Sequence, residues 1–202
     1  MRVSVLSFAT FVAAPPLAKI ASVQSARATE EAEYDPRLDW WKQLREFIPR
    51  NHRQSGGPRQ LREFAAQVTE RKQASYQARV EAYVDFLRGR QVRWVGGSSV
   101  TWTQGALEVA VNPEVFLSID GVRHVVKLYF KASERLSADR ISVILRMMEL
   151  SYRGGATPEG RPVVGVLDLA QGQWHVPTDA LDYLDALLAG EASAFATVWR
   201  SL

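Results

Sequence analysis

The pair Asp120-Gly121 stands between two runs of strand-forming residues, VFLSI (115–119) and VRHVVKLYFK (122–131). No other local feature restricts the chain as much. Asp-Gly adopts the left-handed conformations of a two-residue hairpin turn at low cost, and such a turn fixes which residues lie opposite one another. Ile119 then faces Val122, and counting outward sets Glu114 opposite Lys127. The chain therefore contains an antiparallel sheet, and one of its cross-strand pairs joins an acid to a base.

Helical patterns dominate before the hairpin. Ser7 ahead of FATFVAA predicts a short capped helix ended by Pro15-Pro16. Residues 18–34 are mixed and small and read as loop. Asp35-Pro36 predicts a helix start, with Asp as the cap and Pro at the first helical position. Trp41, Leu44 and Ile48 mark the apolar face of that helix until Pro49 ends it. A polar loop over 50–58 precedes a long stripe of Leu61, Phe64, Ala65 and Val68, continued by Tyr76, Val80, Tyr83, Val84 and Leu87. The stripe fits one helix or two meeting near Gln73-Ala74, with Gly89 beyond the end.

From Gln91 the apolar residues alternate with polar ones (Val92, Trp94, Val100, Trp102, Leu107, Val109, Val111), which is the pattern of antiparallel strands. After the hairpin, Ser137 caps a helix that buries Ile141, Ile144, Leu145 and Met148, with Gly154-Gly155 past its end. VVGVLDL (163–169) is a continuous apolar strand that turns at Gln171-Gly172 into QWHV (173–176). Thr178 or Asp179 then starts a terminal pair of helices. The predicted class is α/β (α+β): a mixed central sheet flanked by helices, with an N-terminal helical lobe over 1–74 and an α/β domain over 75–202. A chain of 202 residues with 47% hydrophobic and 23% charged residues has enough apolar material for a core without staples.

Several chemistries are excluded outright. The chain has no cysteine, so disulfides, thiolate metal sites and cysteine nucleophiles are absent. It carries no Walker A sequence, G-x-G-x-x-G, H-E-x-x-H or G-x-S-x-G. Its three histidines, His52, His124 and His175, are scattered along the sequence. No run of about 18 uncharged apolar residues exists to span a membrane. The expected location is cytoplasmic. Export is the second reading, because VSVLSFATFVAAPPLA after Met1-Arg2 is signal-like and Ala26-Arg27-Ala28 offers an A-x-A cleavage site.

The formal net charge is only +3, but residues 40–93 hold twelve basic against five acidic residues, a local net of +7. Such asymmetry predicts a polyanionic partner. Arg45, Arg53, Arg59, Arg62, Arg71, Lys72 and Arg79 are the candidate nucleic-acid contacts, whether the nucleic acid is DNA or RNA. The helical lobe that carries most of them is also the candidate surface for a protein partner. The competing reading is a solvated helix surface laced with i,i+4 pairs.

The order of helix 75–88, three strands, helix 137–152 and strand 163–169 resembles the core of the PD-(D/E)xK nuclease-like superfamily. Pro113-Glu114 stands where that family has Pro-Asp, and Lys127 stands where it has its lysine. The acid expected two residues before Lys127 is Val125. The resemblance implies a Mg²⁺- or Mn²⁺-dependent endonuclease acting on phosphodiesters. Glu114 and Lys127 would be its catalytic residues, and Glu114 with Glu81 or Glu108 would hold the metal. Phosphodiester cleavage by Mg²⁺ needs at least two hard oxygen ligands, and a lysine beside them offsets developing charge. The alternative implied by Val125 is a noncatalytic nucleic-acid-binding or assembly subunit of a bacterial nucleic-acid-processing or defence system. The purely structural reading of Glu114 and Lys127 is a cross-strand ion pair on an exposed sheet face, contributing about 0.2–1 kcal/mol.

Overall fold

The computed structural model describes residues 1–32, 35, 39–152, 160–177 and 181–202. The expectations placed on Pro36, Gly154-Gly155, Thr178 and Asp179 lie outside the described residues.

The chain opens with a strand, β1 (Arg2–Ser4), and two helices, α1 (Val5–Ala13) and α2 (Ala18–Glu31). The α1 cap is Ser4 rather than Ser7: the Ser4 side chain accepts the Ser7 N–H, three residues into the helix. Pro15-Pro16 follows the helix end, as expected. Of the loop expected over 18–34, residues 33 and 34 lie outside the described residues, and residues 18–31 instead form α2. It was hidden because only Val23 and Ala26 of its fourteen residues are buried, too few to make a stripe.

Three more helices follow: α3 (Lys42–Arg53), α4 (Pro58–Gln67) and α5 (Glu70–Leu87). Pro49 does not stop α3 but sits buried inside it. Proline withholds the N–H that would bond the Arg45 carbonyl, a local cost that packing of Leu44, Ile48 and Pro49 offsets. The helical stripe breaks at Val68-Thr69, not near Gln73. The boundary expected at 74/75 therefore falls within α5.

Two sheets form from the rest. β2 (Val92–Trp94), β5 (Val115–Ile119), β6 (Val122–Tyr129), β7 (Val163–Asp168) and β8 (Gln173–His175) make a five-stranded sheet in the order β2-β5-β6-β7-β8. Only β6 and β7 are parallel, and α6 (Ala138–Tyr152) connects them. The hairpin register is the one read from the turn, with Ile119 opposite Val122. Asp120 and Gly121 take positive φ values of 52° and 86°, as a two-residue turn of this kind requires. β3 (Val100–Gln104) and β4 (Leu107–Val111) pair with β1 in a second sheet, ordered β1-β4-β3. β1 runs parallel to β4, with Arg2 beside Glu108. A local reading of the sequence does not anticipate this second sheet, since a three-residue strand has no pattern of its own.

The five-stranded sheet separates two cores. On one face, Val115, Leu117, Ile119, Val126, Leu128 and Leu167 pack under α3, α4 and α5. On the other, Phe116, Val125, Tyr129, Val164 and Val166 meet α6, α1 and the second sheet. The helices of the first 87 residues thus divide between the two sides instead of forming one lobe. Residues read as signal-like are core elements: Val5 and Phe8 are fully buried, Phe11 is nearly so, and Ala26 is buried within α2.

Among the described residues a single terminal helix, α7 (Leu184–Ser201), stands where a pair was expected. Arg146 of α6 anchors the approach to it, donating to Asp185 through two bonds of 2.6 Å and pairing with Asp182 at 2.7 Å. No helix among the described residues is long and apolar enough to cross a membrane.

Candidate functional site

Glu114 and Lys127 do meet. The β5–β6 register continues past Val115, so the Glu114 N–H bonds the Val126 carbonyl at 3.1 Å and its side chain reaches Lys127. Lys127 Nζ donates to Glu114 Oε1 at 2.7 Å and to the Asn112 carbonyl at 2.9 Å. Glu114 Oε2 accepts the Leu128 N–H at 2.7 Å. The pair is not on an exposed face, because its side chains are only 5% and 7% exposed. Lys127 points to the same side of the sheet as Val125 and Tyr129, into the core beneath α6.

The other two acids do not join them. Glu81 lies on the outer side of α5 and takes a bidentate grip from Arg62 of α4, at 2.7 and 2.8 Å. That guanidinium holds the Glu81 carboxyl below its usual range. Glu108 belongs to the second sheet, exposed between Arg2 and Thr103. Asp120 behaves as the turn residue its position suggests: its Oδ1 accepts the Gln91 N–H at 2.9 Å. Among the described residues, no three His, Asp or Glu side chains stand together as metal ligands would. The residues implied for Mg²⁺ or Mn²⁺ do not fit that ion.

The basic residues divide in three. Arg45 pairs with Asp39, Arg59 with Glu63, and Arg62 with Glu81. Arg79 is buried: its Nε donates to the Phe130 carbonyl at 3.0 Å, its guanidinium lies 5.3 Å from the Trp41 ring, and burial lowers its pKa. It is a core residue, not a surface contact. Arg53, Arg71 and Lys72 remain, and each lies over an aromatic ring. Arg71 and Lys72 sit 5.1 and 5.4 Å from the Trp40 ring, and Arg53 sits 5.5 Å from Trp94.

Two further cations of this kind were missed by the sequence reading. Arg50 lies 5.0 Å from the Phe47 ring and Arg90 lies 5.1 Å from Phe86. The i,i+3 spacing of Phe47 and Arg50 on α3 was an available signal, whereas Arg90 lies beyond the end of α5 and folds back on Phe86. None of these five cations has a carboxylate partner among the described residues.

The Trp40, Arg50 and Arg53 groups follow α3 from its beginning to its end. Twelve residues span about 18 Å at ~1.5 Å per residue. A ring beneath a guanidinium limits its motion and leaves its edge N–H groups free to meet an anion, while the flat rings offer stacking surfaces. Sequence comparison finds no known family and no curated protein that matches this chain.

Proposed function

We propose that this chain is a noncatalytic nucleic-acid-binding protein, with α3 and the start of α5 tracking the phosphate backbone. The observation that carries this reading is the run of ring-backed cations, Arg71 and Lys72 on Trp40, Arg50 on Phe47 and Arg53 on Trp94. Cations already bound to carboxylates must give up a partner to bind phosphate; these do not.

The order α5, β2, β5, β6, α6, β7 within one sheet supports kinship with the PD-(D/E)xK nuclease-like superfamily. The closed Glu114–Lys127 pair and the scattered acids favour its noncatalytic side. A lysine that already donates to a carboxylate and a carbonyl, inside a core, has no access to a scissile phosphate.

The test is fluorescence anisotropy with labelled single- and double-stranded DNA and RNA across a salt series, with Mg²⁺ present and absent. Binding should weaken with salt, and Arg50→Ala/Arg53→Ala/Lys72→Ala should lower the log–log salt slope by about 0.7–0.9 per lost phosphate contact. Binding that is indifferent to salt and to the triple substitution would reject the reading. Mg²⁺-dependent cutting would restore the nuclease.

A further inference from the structure

Between Arg50 and Arg53 in the chain, Asn51 and His52 line a pocket of about 220 Å³ at the C-terminal end of α3. Its walls are aliphatic, built from Leu61 of α4, Val84 and Leu87 of α5 and Val92 of β2. The space is smaller than the about 300–1000 Å³ of drug-sized sites, and suits a single flat ring system. Among the described residues no Asp or Glu lines it, so nothing there receives an ammonium group.

Two polar atoms of this pocket lack partners. Asn51 is only 4% exposed, and its side chain makes one hydrogen bond, from Nδ2 to the Gly57 carbonyl at 3.4 Å. Asn51 Oδ1 therefore has no donor among the described residues. His52 Nε2 shares a hydrogen bond with the Tyr83 hydroxyl at 2.7 Å, which leaves Nδ1 without a partner. The described side-chain atoms that are both sealed from solvent and unpartnered are Arg123 Nε, Arg140 Nε, Ser151 Oγ and Glu191 Oε2. Asn51 Oδ1 and His52 Nδ1 are thus open, and the pocket that both residues line is their opening. Gly56 makes room for the amide, since a Cβ there would lie 2.1 Å from Asn51 Oδ1. Burial lowers the His52 pKa to about 4, so near neutral pH both groups are uncharged. An amide oxygen and a neutral imidazole nitrogen match the N–H and ring-nitrogen edge of a base, not a phosphate.

Cations stand at the mouth. Arg90 itself lines the pocket and lies 5.1 Å from the Phe86 ring, while Arg53 lies 5.5 Å from Trp94. Val92 comes between Arg90 and Trp94 in the chain, so the two guanidiniums flank one wall. Neither has a carboxylate partner among the described residues.

We infer that this pocket receives one unpaired nucleobase, whose flanking phosphates are held on Arg53 and Arg90. The inference rests on the nucleic-acid reading above and narrows its substrate class. Drawing a base out of a duplex costs unpairing and unstacking, and the cost is least where the base is already unpaired. The preferred ligand is therefore a single strand, or a duplex interrupted by a bulge, over a blunt duplex.

The test is fluorescence anisotropy at one salt concentration with a blunt duplex, the same duplex carrying a single-base bulge, and that bulge made abasic, each as DNA and as RNA. The bulged duplex should bind about tenfold more tightly than the blunt one, a difference of about 1.4 kcal/mol, and the abasic bulge should lose the gain. Val92→Trp, which fills the pocket, should bring bulged and blunt duplexes to one affinity. Gly56→Ala, which pushes the Asn51 amide aside, should also shrink the gain, so the proposal remains testable if Val92→Trp fails to fold. Equal, salt-sensitive binding of all three duplexes would overturn the pocket and leave the nucleic-acid reading standing. No binding of any duplex would overturn both. A bulge preference that survives in Val92→Trp with an unchanged circular dichroism spectrum would overturn the location.

Discussion

Lys127 shows what a residue-level expectation gains and loses on folding. Its pairing with Glu114 was legible, because a two-residue turn lets register be counted outward. Its burial was not, since that depends on the Asn112 carbonyl and on α6 covering the face. Lys127→Ala should strand a buried carboxylate, costing about 3–5 kcal/mol. Urea denaturation of Lys127→Ala against Lys127→Met/Glu114→Gln checks this; the double variant should recover most of the loss, and equal midpoints for the single variant and wild type would contradict it. His52 makes a second residue-scale prediction. Its Nε2 lies 2.7 Å from the Tyr83 hydroxyl, and burial lowers its pKa from 6.5 to about 4. The unfolded chain takes up that proton first, so this contribution to stability is complete above pH 6.5 and is lost as pH falls towards 4. The loss has a slope of at most about 1.4 kcal/mol per pH unit. Thermal unfolding between pH 7 and 4 should show this slope, and His52→Gln should flatten it.

Elements were legible where their signal was local. The hairpin, the α6 cap at Ser137 and the strand at 163–168 each rest on a turn, a capping residue or an unbroken apolar run. α2 was not legible, because its surroundings and not its own stripe make it a helix. The reach of Arg62 from α4 to Glu81 on α5 is equally invisible, since these residues belong to different helices and meet only when the pair packs. α6 and α7 show the same non-local logic. Arg146 is almost wholly buried, whereas the side chains of Asp182 and Asp185 keep 63% and 47% of their exposure. Water can therefore replace the guanidinium at the carboxylates, but not the volume of its stem. Arg146→Met should cost less than about 1.5 kcal/mol, whereas Arg146→Ala should cost about 2–4 kcal/mol by leaving a cavity. Chemical denaturation of the two variants separates these outcomes, and equal losses would mean that the ion pairs, not the packing, hold α7.

At the scale of the whole molecule, the class predicted from element order holds, as an α/β protein with mixed sheets and flanking helices. Its partition does not follow the chain, since the first helices are split across the two faces of the central sheet. Removing residues 1–17 should therefore not trim a lobe or a leader. It should strip β1 from the second sheet and Phe8 and Phe11 from the core, giving a protein that loses its near-ultraviolet circular dichroism and binds a hydrophobic dye. A truncated chain with wild-type stability would show that this segment is dispensable.

The parallel pairing of β1 with β4 also sets a timetable. Arg2 finds its neighbour at Glu108, and Phe11 packs against Phe195 near the other end of the chain. Such distant closures are slow to form. During synthesis α1 must wait, with its phenylalanines uncovered, for α7 to arrive. For that interval a chaperone that shields short apolar stretches would find a target in α1.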